Sequence, residues 1–518
     1  MHEMKQFFLC LTFRLMCFVF TDTWFVPDEY FQCTEVAYSM AFRRGHLTWE
    51  WIHNPPLRSY LHPLSIAWIY EMYRFLGIDT PMAVRCLPHL LHSFLFSLGD
   101  VAFIKMVNRI FFANPRGNAN TLILYFTNWF IIYCSSRTLS NCVETALTLI
   151  ALNWYPLYDD EASPMSPHAR RRRKSFVPYM LFGTVAILIR PTAVLIFGPL
   201  GLWHLARSNE RCRVMFFAIL VCGGTVMSSI LIDSDLKRPL KFPLLEFAKF
   251  NFFTGGSAHF GVHPWYWYFT DGLLITMTGA YFLALGGFII QCNRPAPRSP
   301  PKILFVVALI YLAVHIWLPH KEHRFILPII PLMLPFAGLL LQQVSIKRAN
   351  ITRGLLCIIV TVNLIVAGFV CRVHQRGVNA VTSSLIADIT KDAVGPVHIV
   401  QLLPCYSMHQ YAAFHKLNVR HHMLDCTPNL KRLPNYIDQS DMFHFNPVAY
   451  VKQHPKLLRP GKYAYVVIYK KTYKKLEKIL AENGYEHFAS FGHTPTPISA
   501  NQDTVIVVLK RVVKKKVN

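Results

Sequence analysis

The sequence predicts an α-helical polytopic membrane protein with a small α/β domain at its C-terminal end. Of its 518 residues, 53% are hydrophobic and only 16% are charged, which is too few charges for a soluble protein of this size. The hydrophobic residues gather in runs of about 15 to 25, the length that crosses the apolar core of a bilayer. From residue 372 onward these runs end, and histidine, asparagine, proline and charged residues become frequent.

We predict about eleven membrane spans from these runs. The first, 7–20, is not followed by a small-residue cleavage site, so we interpret it as a retained signal-anchor. Several of the others are short for a full crossing, which is typical of broken or paired helices. The ten spans after the first lie at 84–107, 119–134, 138–157, 176–189, 192–205, 213–232, 266–290, 303–319, 324–344 and 351–371.

The net charge of +25 comes mostly from short basic clusters between the apolar runs, such as RRRRK at 170–174. Basic loops of this kind face the cytoplasm in membrane proteins. The clusters follow this rule if the N-terminus is cytoplasmic and if 57–76 is an interfacial helix rather than a span. Residues 372–518 then lie in the lumen. Nucleic-acid binding is disfavoured, because no soluble domain combines a basic face with stacking aromatic residues.

The C-terminal region alternates short β-rich stretches with a helical pattern. VHIVQLL, YAYVVIY and TVIVVLK predict strands, and KKLEKILAENGY predicts a helix that ends at Asn483 and Gly484. We therefore divide the chain into a transmembrane domain at 1–371, with a first lumenal loop at 21–83, and a lumenal α/β domain at 372–518.

The thirteen cysteines are scattered, with no CxxC pair and no Cys/His cluster at zinc spacing. Cys405 and Cys426 lie outside the spans and would pair in an oxidising lumen, but their spacing alone leaves a disulfide open. No P-loop, GxGxxG, HExxH or Ser-His-Asp order is present at usable spacing. Nucleotide-driven pumping and zinc hydrolysis are therefore unsupported.

Five polar clusters interrupt the apolar pattern, and the count of spans places all five at the lumenal face. Polar residues within or beside spans mark functional positions. Their convergence on one face indicates a single site. The clusters are PDEYFQCTE at 27–35, SSRTLSN at 135–141, IRPT at 189–192, HPWYWY at 263–268 and HKEHR at 320–324.

The first cluster carries a pair of neighbouring carboxylates. Pro27 suits the first position of a helix, which puts Asp28 and Glu29 in its first turn. The helix dipole favours their ionised forms, as a general base requires. Glu35 follows seven residues after Asp28, on the same face of an α-helix. The alternative interpretation is structural: Asp28 caps the helix and Glu29 pairs with an arginine.

HKEHR places His320, Lys321 and Arg324 at the end of one span and the start of the next. Basic residues on the lumenal side run against the positive-inside trend, and an anionic ligand such as a lipid phosphate explains them. An anchor for lipid head groups is the alternative. Arg190, in IRPT, lies in an apolar stretch and therefore needs a carboxylate or a phosphate as its partner.

HPWYWY contributes His263, Trp265 and Trp267. Tryptophan and tyrosine have apolar faces and polar tips, which suit the binding of a sugar ring. An aromatic belt at the membrane interface is an equally good explanation of the same residues.

The segment FVPDEYFQCTEVAYSMAFRRGHLTWEW at 25–51 resembles the first lumenal loop of the dolichyl-phosphate-mannose-dependent mannosyltransferases, glycosyltransferase family 22, which have the GT-C fold. RTLSN, RPTA, the Phe-Asn-Phe stretch before HPWYWYF, and HKEHRFILPIIPL follow in the order of that family's motifs. LLPCYS, DCTP and DMFHFNPVAY are similar to stretches of the members that act on the glycosylphosphatidylinositol (GPI) precursor. The resemblance covers nearly the whole chain.

The resemblance implies an activity: transfer of the third mannose, in α1,2 linkage, to the GPI precursor at the lumenal face of the endoplasmic reticulum. The donor is then dolichyl phosphate β-mannose, and the reaction inverts the sugar in one displacement with a single general base. Asp28 is the first choice for this base and Glu29 the second. His320, Lys321, Arg324 and Arg190 would hold the donor phosphate, and neither a cofactor nor a metal is required.

Further residues are expected to contact the substrates on the same resemblance. They are Gln32, Glu35, Trp49, Trp51, Arg137, His263, Trp265 and Trp267. The family often has histidine where this chain has Val26, so no role for that histidine carries over. The expected partners are the lipid-linked donor and acceptor in the membrane, without nucleic acid.

Two other hypotheses stay open. The first is a related enzyme of the same family that acts on the N-glycan lipid precursor or adds a fourth GPI mannose. The second is a lipid or sugar transporter or a scramblase that uses the same charged cavity. A transporter would often show two related halves, and no such internal repeat is evident in this chain.

Overall fold

The computed structural model describes residues 2–52, 56–112, 114–157, 175–234, 240–253, 255–257, 261–293, 300–392, 395–429 and 433–512. The basic cluster at 170–174, which contributes to the predicted orientation, lies outside these residues. The chain forms two compact units. The first comprises Met1–Phe18, His53–His62 and His89–Ala367, and the second comprises Val19–Ile52, Pro63–Pro88 and Gly368–Asn518.

Most of the described chain is helical. The α-helices are His2–Phe20, Glu35–Phe42, Trp49–Ile52, Leu61–Phe75, Pro81–Ile110, Pro115–Thr127, Trp129–Cys134, Ser140–Trp154, Val177–Ile189, Val194–Arg207, Arg211–Phe217, Gly224–Asp233, Pro243–Ala248, Leu273–Met277, Ala280–Asn293, Lys302–Trp317, Ile330–Lys347, Ala349–Arg372, Gly377–Asp392, Gln439–Phe445, Pro447–Gln453 and Lys470–Glu482. Wider π-turns lie at Tyr30–Thr34, Ala218–Gly223, Lys249–Phe253 and Tyr268–Gly272. Tighter 3₁₀ turns lie at Pro191–Ala193, His323–Ile329 and Pro455–Leu458.

Each predicted span coincides with one helix or with consecutive helices, and the segment predicted to be interfacial contains the helix Leu61–Phe75. By length and apolar composition alone, four helical segments among the described residues are long enough to cross a membrane. They are Pro81–Ile110, Arg211–Asp233, His323–Lys347 and Ala349–Lys391. A fifth results if Tyr268–Met277 and Ala280–Asn293, which are bent by 104°, form one broken span.

Fewer helices meet this criterion than the spans that we predicted, because some of the predicted spans are short helices and one, 119–134, is divided into two helices. One break is at Asn128, between Pro115–Thr127 and Trp129–Cys134. Its side chain accepts a hydrogen bond from the amide of Ile131 at 2.9 Å and thereby caps the second helix. The apolar helices Val177–Ile189 and Lys302–Trp317 are likewise shorter than a full crossing.

The charge that interrupts the first predicted span is paired inside the first unit. Arg14 Nε and Nη2 each donate to the carboxylate of Asp100 at 2.7 Å, and both side chains are fully buried. The hydroxyl of Tyr125 donates to the same carboxylate at 2.7 Å. A charge inside a membrane protein is tolerated when it is matched in this way.

The second unit contains a five-stranded sheet in the order β2-β1-β3-β5-β4. The strands are β1 (Val397–Leu402), β2 (Val419–Met423), β3 (Tyr463–Tyr469), β4 (Tyr485–Gly492) and β5 (Val505–Arg511). β1 runs parallel to both β2 and β3, with Val397 paired to Val419 on one side and to Tyr463 on the other. β5 runs antiparallel to β3 and β4.

The predicted strands β1, β3 and β5 are confirmed, and so is the helix Lys470–Glu482, which ends before Asn483 and Gly484. Gly484 has a φ of +79°, a left-handed conformation that glycine adopts without strain. The strands β2 and β4 were not predicted, and each lies at an edge of the sheet.

The two faces of this sheet are covered by different parts of the second unit. Helices Gln439–Phe445, Pro447–Gln453 and Lys470–Glu482 cover one face. The other face packs against helix Gly377–Asp392 and against Trp24 and Phe31 of the first loop. Phe31 belongs to the PDEYFQCTE cluster, so this cluster packs against the sheet.

Candidate functional site

The acidic pair begins a helix, as predicted. The carbonyl of Pro27 accepts hydrogen bonds from the amides of Tyr30 and Phe31 at 3.0 and 3.1 Å. Asp28 and Glu29 therefore occupy the first turn of the helix. Glu29 is fully buried, whereas Asp28 is half-buried.

Asp28 belongs to a chain of hydrogen bonds. The side-chain amide of Gln32 donates to the carboxylate of Asp28 and, at 3.2 Å, to that of Glu50. Gln32 and Asp28, both predicted as site residues, thus lie together. Glu50 was not predicted, although it stands between the two tryptophans of LTWEW.

The helix widens immediately after the acidic pair. Tyr30–Thr34 is a π-turn, in which the amide of Glu35 bonds to the carbonyl of Tyr30. The α-helical spacing that we assumed between Asp28 and Glu35 therefore does not hold. The carboxylate of Glu35 accepts a hydrogen bond from the amide of Ala412 at 2.9 Å. Burial raises the pKa of Glu35 to about 7.

Trp49 and Trp51 are buried, with 8% and 5% of their surfaces exposed. The indole nitrogen of Trp51 donates to the carbonyl of Phe31 at 3.1 Å. These contacts hold the short helix Trp49–Ile52 against the helix that carries Asp28. A role of either tryptophan in binding sugar stays a prediction.

Two C-terminal residues that we did not predict lie beside the acidic turn. The half-buried ring of Tyr406 is 4.9 Å from the ring of Phe31, between centroids. His409 packs edge-on against Tyr30 at 4.4 Å. Cys405, next to Tyr406, forms a disulfide with Cys426 and so ties together the segments that follow β1 and β2. The stretch LLPCYS had marked this region only through the family resemblance.

The first unit contains the cationic cluster, which is organised around Glu322. The imidazole of His320 lies 2.7 Å from one carboxylate oxygen of Glu322. Arg324 donates to both oxygens, through Nε at 2.7 Å and Nη2 at 2.6 Å. Burial alone would raise the pKa of Glu322, but Arg324 and His320 hold that pKa well below its usual range. Glu322 is part of HKEHR, yet we had not predicted a role for it.

Lys321 joins HKEHR to HPWYWY. Its buried ammonium donates to the carbonyls of Leu318 and His263, at 2.7 and 3.2 Å. The amide of His263 in turn donates to the carbonyl of Pro319 at 3.0 Å. Two of the polar clusters predicted to converge are therefore in direct contact.

Arg190 has the carboxylate partner that its burial requires. Its Nε lies 3.1 Å from Oε2 of Glu144, which is fully buried. Its Nη1 donates to the hydroxyl of Ser140 at 3.4 Å. The guanidinium groups of Arg190 and Arg324 lie 5.0 and 5.4 Å from the ring centroid of Phe325. IRPT thus contacts SSRTLSN through Ser140, and it shares the ring of Phe325 with Arg324 of HKEHR.

A small cavity opens beside Arg190 and has a volume of about 50 Å³. Arg190 provides the positive charge of its wall, and His320, Asn251 and Ser257 add polar groups. Its remaining wall is largely apolar, with Phe247, Phe252, Leu318 and Phe325. Charge next to aromatic and aliphatic side chains suits an anionic group attached to a lipid.

The other predicted residues of the first unit differ in exposure. Trp265 is 66% exposed, whereas Trp267 is half-buried, with its ring 5.2 Å from that of His263. Arg137 is buried, and its Nε donates to the carbonyl of Tyr133 at 3.1 Å. Its guanidinium lies 4.0 Å from the ring centroid of Tyr133. Substrate contacts of these residues stay predictions.

Comparison with known proteins agrees with this arrangement of motifs. Residues 6–415 match the Alg9-like mannosyltransferase family. The "GPI alpha-1,2-mannosyltransferase 3" of Homo sapiens is 30% identical over 97% of this chain and 86% of its own length. The "GPI mannosyltransferase 3" of Drosophila melanogaster is also 30% identical, over 86% of this chain and 76% of its own.

The fold is shared with a solved glycosyltransferase of GT-C type. This is ArnT from Cupriavidus metallidurans bound to undecaprenyl phosphate, with a TM-score of 0.57, 14% sequence identity and 98% of both chains covered. At this identity the likeness concerns the fold. The predicted family and the predicted GT-C fold are both confirmed by these similarities.

Proposed function

The chain belongs to the Alg9-like mannosyltransferase family, and on this premise we propose that it transfers the third mannose, in α1,2 linkage, to the GPI precursor. The donor in this proposal is dolichyl phosphate mannose. The observation that carries the proposal is the similarity, over most of both chains, to relatives named GPI alpha-1,2-mannosyltransferase 3. The half-buried carboxylate of Asp28 and the cavity beside the guanidinium of Arg190 support it chemically.

The reaction is a single displacement that inverts the anomeric carbon. The 2-hydroxyl of the acceptor mannose attacks C1 of the donor mannose, and a new C–O bond forms on the α side. The bond between C1 and the phosphate oxygen breaks, so the electron pair leaves with dolichyl phosphate. Asp28 accepts the hydroxyl proton as the general base. We prefer Asp28 to Glu29 because Asp28 is half-buried, whereas Glu29 is fully buried.

The cationic cluster stabilises the leaving phosphate. Negative charge grows on this group as the bond breaks, and fixed cations nearby lower the energy of the transition state. Arg190 and His320 line the cavity, and Lys321 and Arg324 adjoin it through HKEHR. Glu322 fixes the orientation of His320 and Arg324. The cluster balances the phosphate charge in this proposal, so no metal takes part.

The location in the endoplasmic reticulum, with a lumenal site, is part of the same proposal. The distribution of basic loops supports this orientation. So does the disulfide between Cys405 and Cys426, because disulfides persist in oxidising compartments.

The experiment that tests the function is an analysis of lipid intermediates in cells that lack the protein. We expect a GPI precursor with two mannoses to accumulate and GPI-anchored proteins to disappear from the surface. Purified protein should then convert this precursor to the three-mannose form with dolichyl phosphate mannose. Accumulation of a truncated N-glycan lipid, or of a three-mannose GPI precursor, would instead assign the chain to another reaction of the family.

A further inference from the structure

The helix that carries Asp28 contains a conformation that is rarely stable alone. The π-turn at Tyr30–Thr34 separates Asp28 from the regular helix Glu35–Phe42. Such turns are uncommon in proteins and are frequent at functional sites. If this turn relaxed to α-helical geometry, the Asp28 end would rotate by roughly 100° relative to the Glu35 end. The direction of the Asp28 side chain therefore depends on what holds the turn.

A buried hydrogen bond fixes the helix directly after the wide turn. Glu35 is 2% exposed, and its Oε1 accepts from the amide of Ala412 at 2.9 Å. Ala412 belongs to the segment 409–419, which leads into β2. Glu35 was predicted to bind substrate, but its carboxylate is directed at the backbone of this segment.

The same segment holds the helix at a second point. The hydroxyl of Tyr38 lies 2.9 Å from Nδ1 of His415. The other ring nitrogen of His415 lies 3.0 Å from the carbonyl and 3.2 Å from the carboxylate of Asp79. His415 is thus fixed from both sides, and it fixes Tyr38 in turn.

A third contact follows just beyond the end of this helix. Arg44 donates to the carbonyl of Leu417 at 2.9 Å and to that of Val419, the first residue of β2. Its guanidinium lies 4.9 Å from the ring centroid of Tyr411. On the other side of the wide turn, His409 packs against Tyr30. The segment 409–419 therefore contacts the π-turn, the helix Glu35–Phe42 and the residue Arg44 that follows this helix.

We propose that Glu35 is a positioning residue for mannosyl transfer and that the backbone amide of Ala412, in the segment 409–419, holds its carboxylate in place. The hydrogen bond between the carboxylate of Glu35 and the amide of Ala412 stabilises the π-turn. The π-turn in turn orients the carboxylate of Asp28 towards the acceptor hydroxyl. Tyr38 and Arg44 support the same alignment. This inference rests on the proposed function, because it takes Asp28 as the base.

The test uses the purified full-length chain in detergent, with dolichyl phosphate mannose and a two-mannose GPI acceptor. Glu35→Ala should lower kcat by about 10- to 100-fold, since a misplaced catalytic group costs rate. The KM values of both substrates should stay within about twofold, because the carboxylate of Glu35 is buried against the backbone of Ala412. Glu35→Gln should restore most of kcat, because the amide oxygen still accepts from Ala412.

Lys416→Gln is the matched control in the same segment. Its ammonium pairs with Asp79 at 3.0 Å, but the side chain is 53% exposed, so the pair is weak. This variant should keep the wild-type kcat. If Glu35→Ala does not fold, Tyr38→Phe provides the second test, because it removes one hydroxyl and leaves the packing. It should lower kcat several-fold with unchanged KM values.

Three outcomes would overturn the inference. The first is that Glu35→Ala has the wild-type kcat when activity is divided by the amount of folded enzyme. If Glu35→Ala does not fold, the same result in Tyr38→Phe counts instead. The second is a failure of Glu35→Gln to recover activity, and the third is a selective rise in the acceptor KM, which would make Glu35 a binding residue. If the wild-type protein itself does not transfer mannose to the GPI acceptor, the proposed function fails, and the inference falls with it.

Discussion

Arg324 and Glu322 form a two-point ion pair, in which Nε and Nη2 of the arginine donate to the two carboxylate oxygens at 2.7 and 2.6 Å. The same carboxylate lies 2.7 Å from the imidazole of His320. A single acidic residue thus fixes two of the side chains that we assign to the donor phosphate. Such charge-assisted pairs are strong and directional.

Replacing Glu322 should therefore disturb donor binding. In Glu322→Gln, Arg324 keeps one acceptor and loses the charge that balances it, so Arg324 and His320 lose their fixed orientation. We expect the KM for dolichyl phosphate mannose to rise about tenfold, equivalent to about 1.4 kcal/mol, while the acceptor KM stays unchanged. Steady-state kinetics with each substrate varied in turn measures both constants. An equal rise in both would argue against a donor-specific role.

Variants of the ion pair between Arg190 and Glu144 should distinguish an effect on stability from an effect on catalysis. Glu144→Leu leaves a buried guanidinium without its carboxylate and should destabilise the protein by roughly 3 kcal/mol. The double variant Glu144→Leu/Arg190→Met removes both charges and should recover most of this loss. Activity should not return, because the donor phosphate loses Arg190. Thermal unfolding and transfer assays on the single and double variants test this prediction. If the double variant is active, Arg190 does not bind the donor phosphate.

The acidic pair should respond unequally to neutralisation. Asp28→Asn preserves the shape of the side chain and removes the base, so kcat should fall by about 10²- to 10⁴-fold with little change in either KM. Glu29→Gln should have a smaller effect on kcat, because Glu29 is fully buried. Both variants should remain folded and inserted in membranes. If Glu29→Gln is the inactive variant and Asp28→Asn retains activity, the two roles must be exchanged.

The fold was predictable where the sequence pattern reflects burial. The strands β1 and β3 are almost entirely buried, and their apolar runs identified them. The edge strand β2 reads VRHHM and is mostly half-buried, so its pattern resembles a loop. An edge strand needs a partner on one side only and tolerates polar residues. The break at Asn128 was similarly hidden within an apolar run.

For the site, the sequence identified the charges but not most of their partners. Arg190 in an apolar stretch required an acidic partner, yet nothing in the sequence selected Glu144 from the other carboxylates. The π-turn after Asp28 leaves no compositional trace, because it changes the winding and not the residue types. The partner of Glu35, Ala412, lies 377 positions away in the sequence and contributes only its backbone amide. Such a contact follows from the tertiary fold alone.

The burial of Glu35 makes stability depend on pH. Its pKa is raised from 4.5 to about 7 in the folded protein, so between these values the folded state keeps a proton that the unfolded state has lost. Stability therefore falls as pH rises through this window, and the loss is complete above pH 7, at roughly 3 kcal/mol. Glu35→Gln does not titrate and should escape this loss.

Melting temperatures of the wild-type protein and of Glu35→Gln, measured between pH 4.5 and 8.5, check this effect. The other titrating groups are the same in both proteins, so the difference between the two curves isolates Glu35. The melting temperature of Glu35→Gln relative to that of the wild type should rise as pH rises to about 7. Above this pH the difference should stay constant, because Glu35 of the wild type is ionised in both the folded and the unfolded state. Curves that run parallel over the whole range would mean that the carboxyl group titrates alike in the folded and unfolded states. The buried bond to Ala412 would then not be the environment of this side chain in solution.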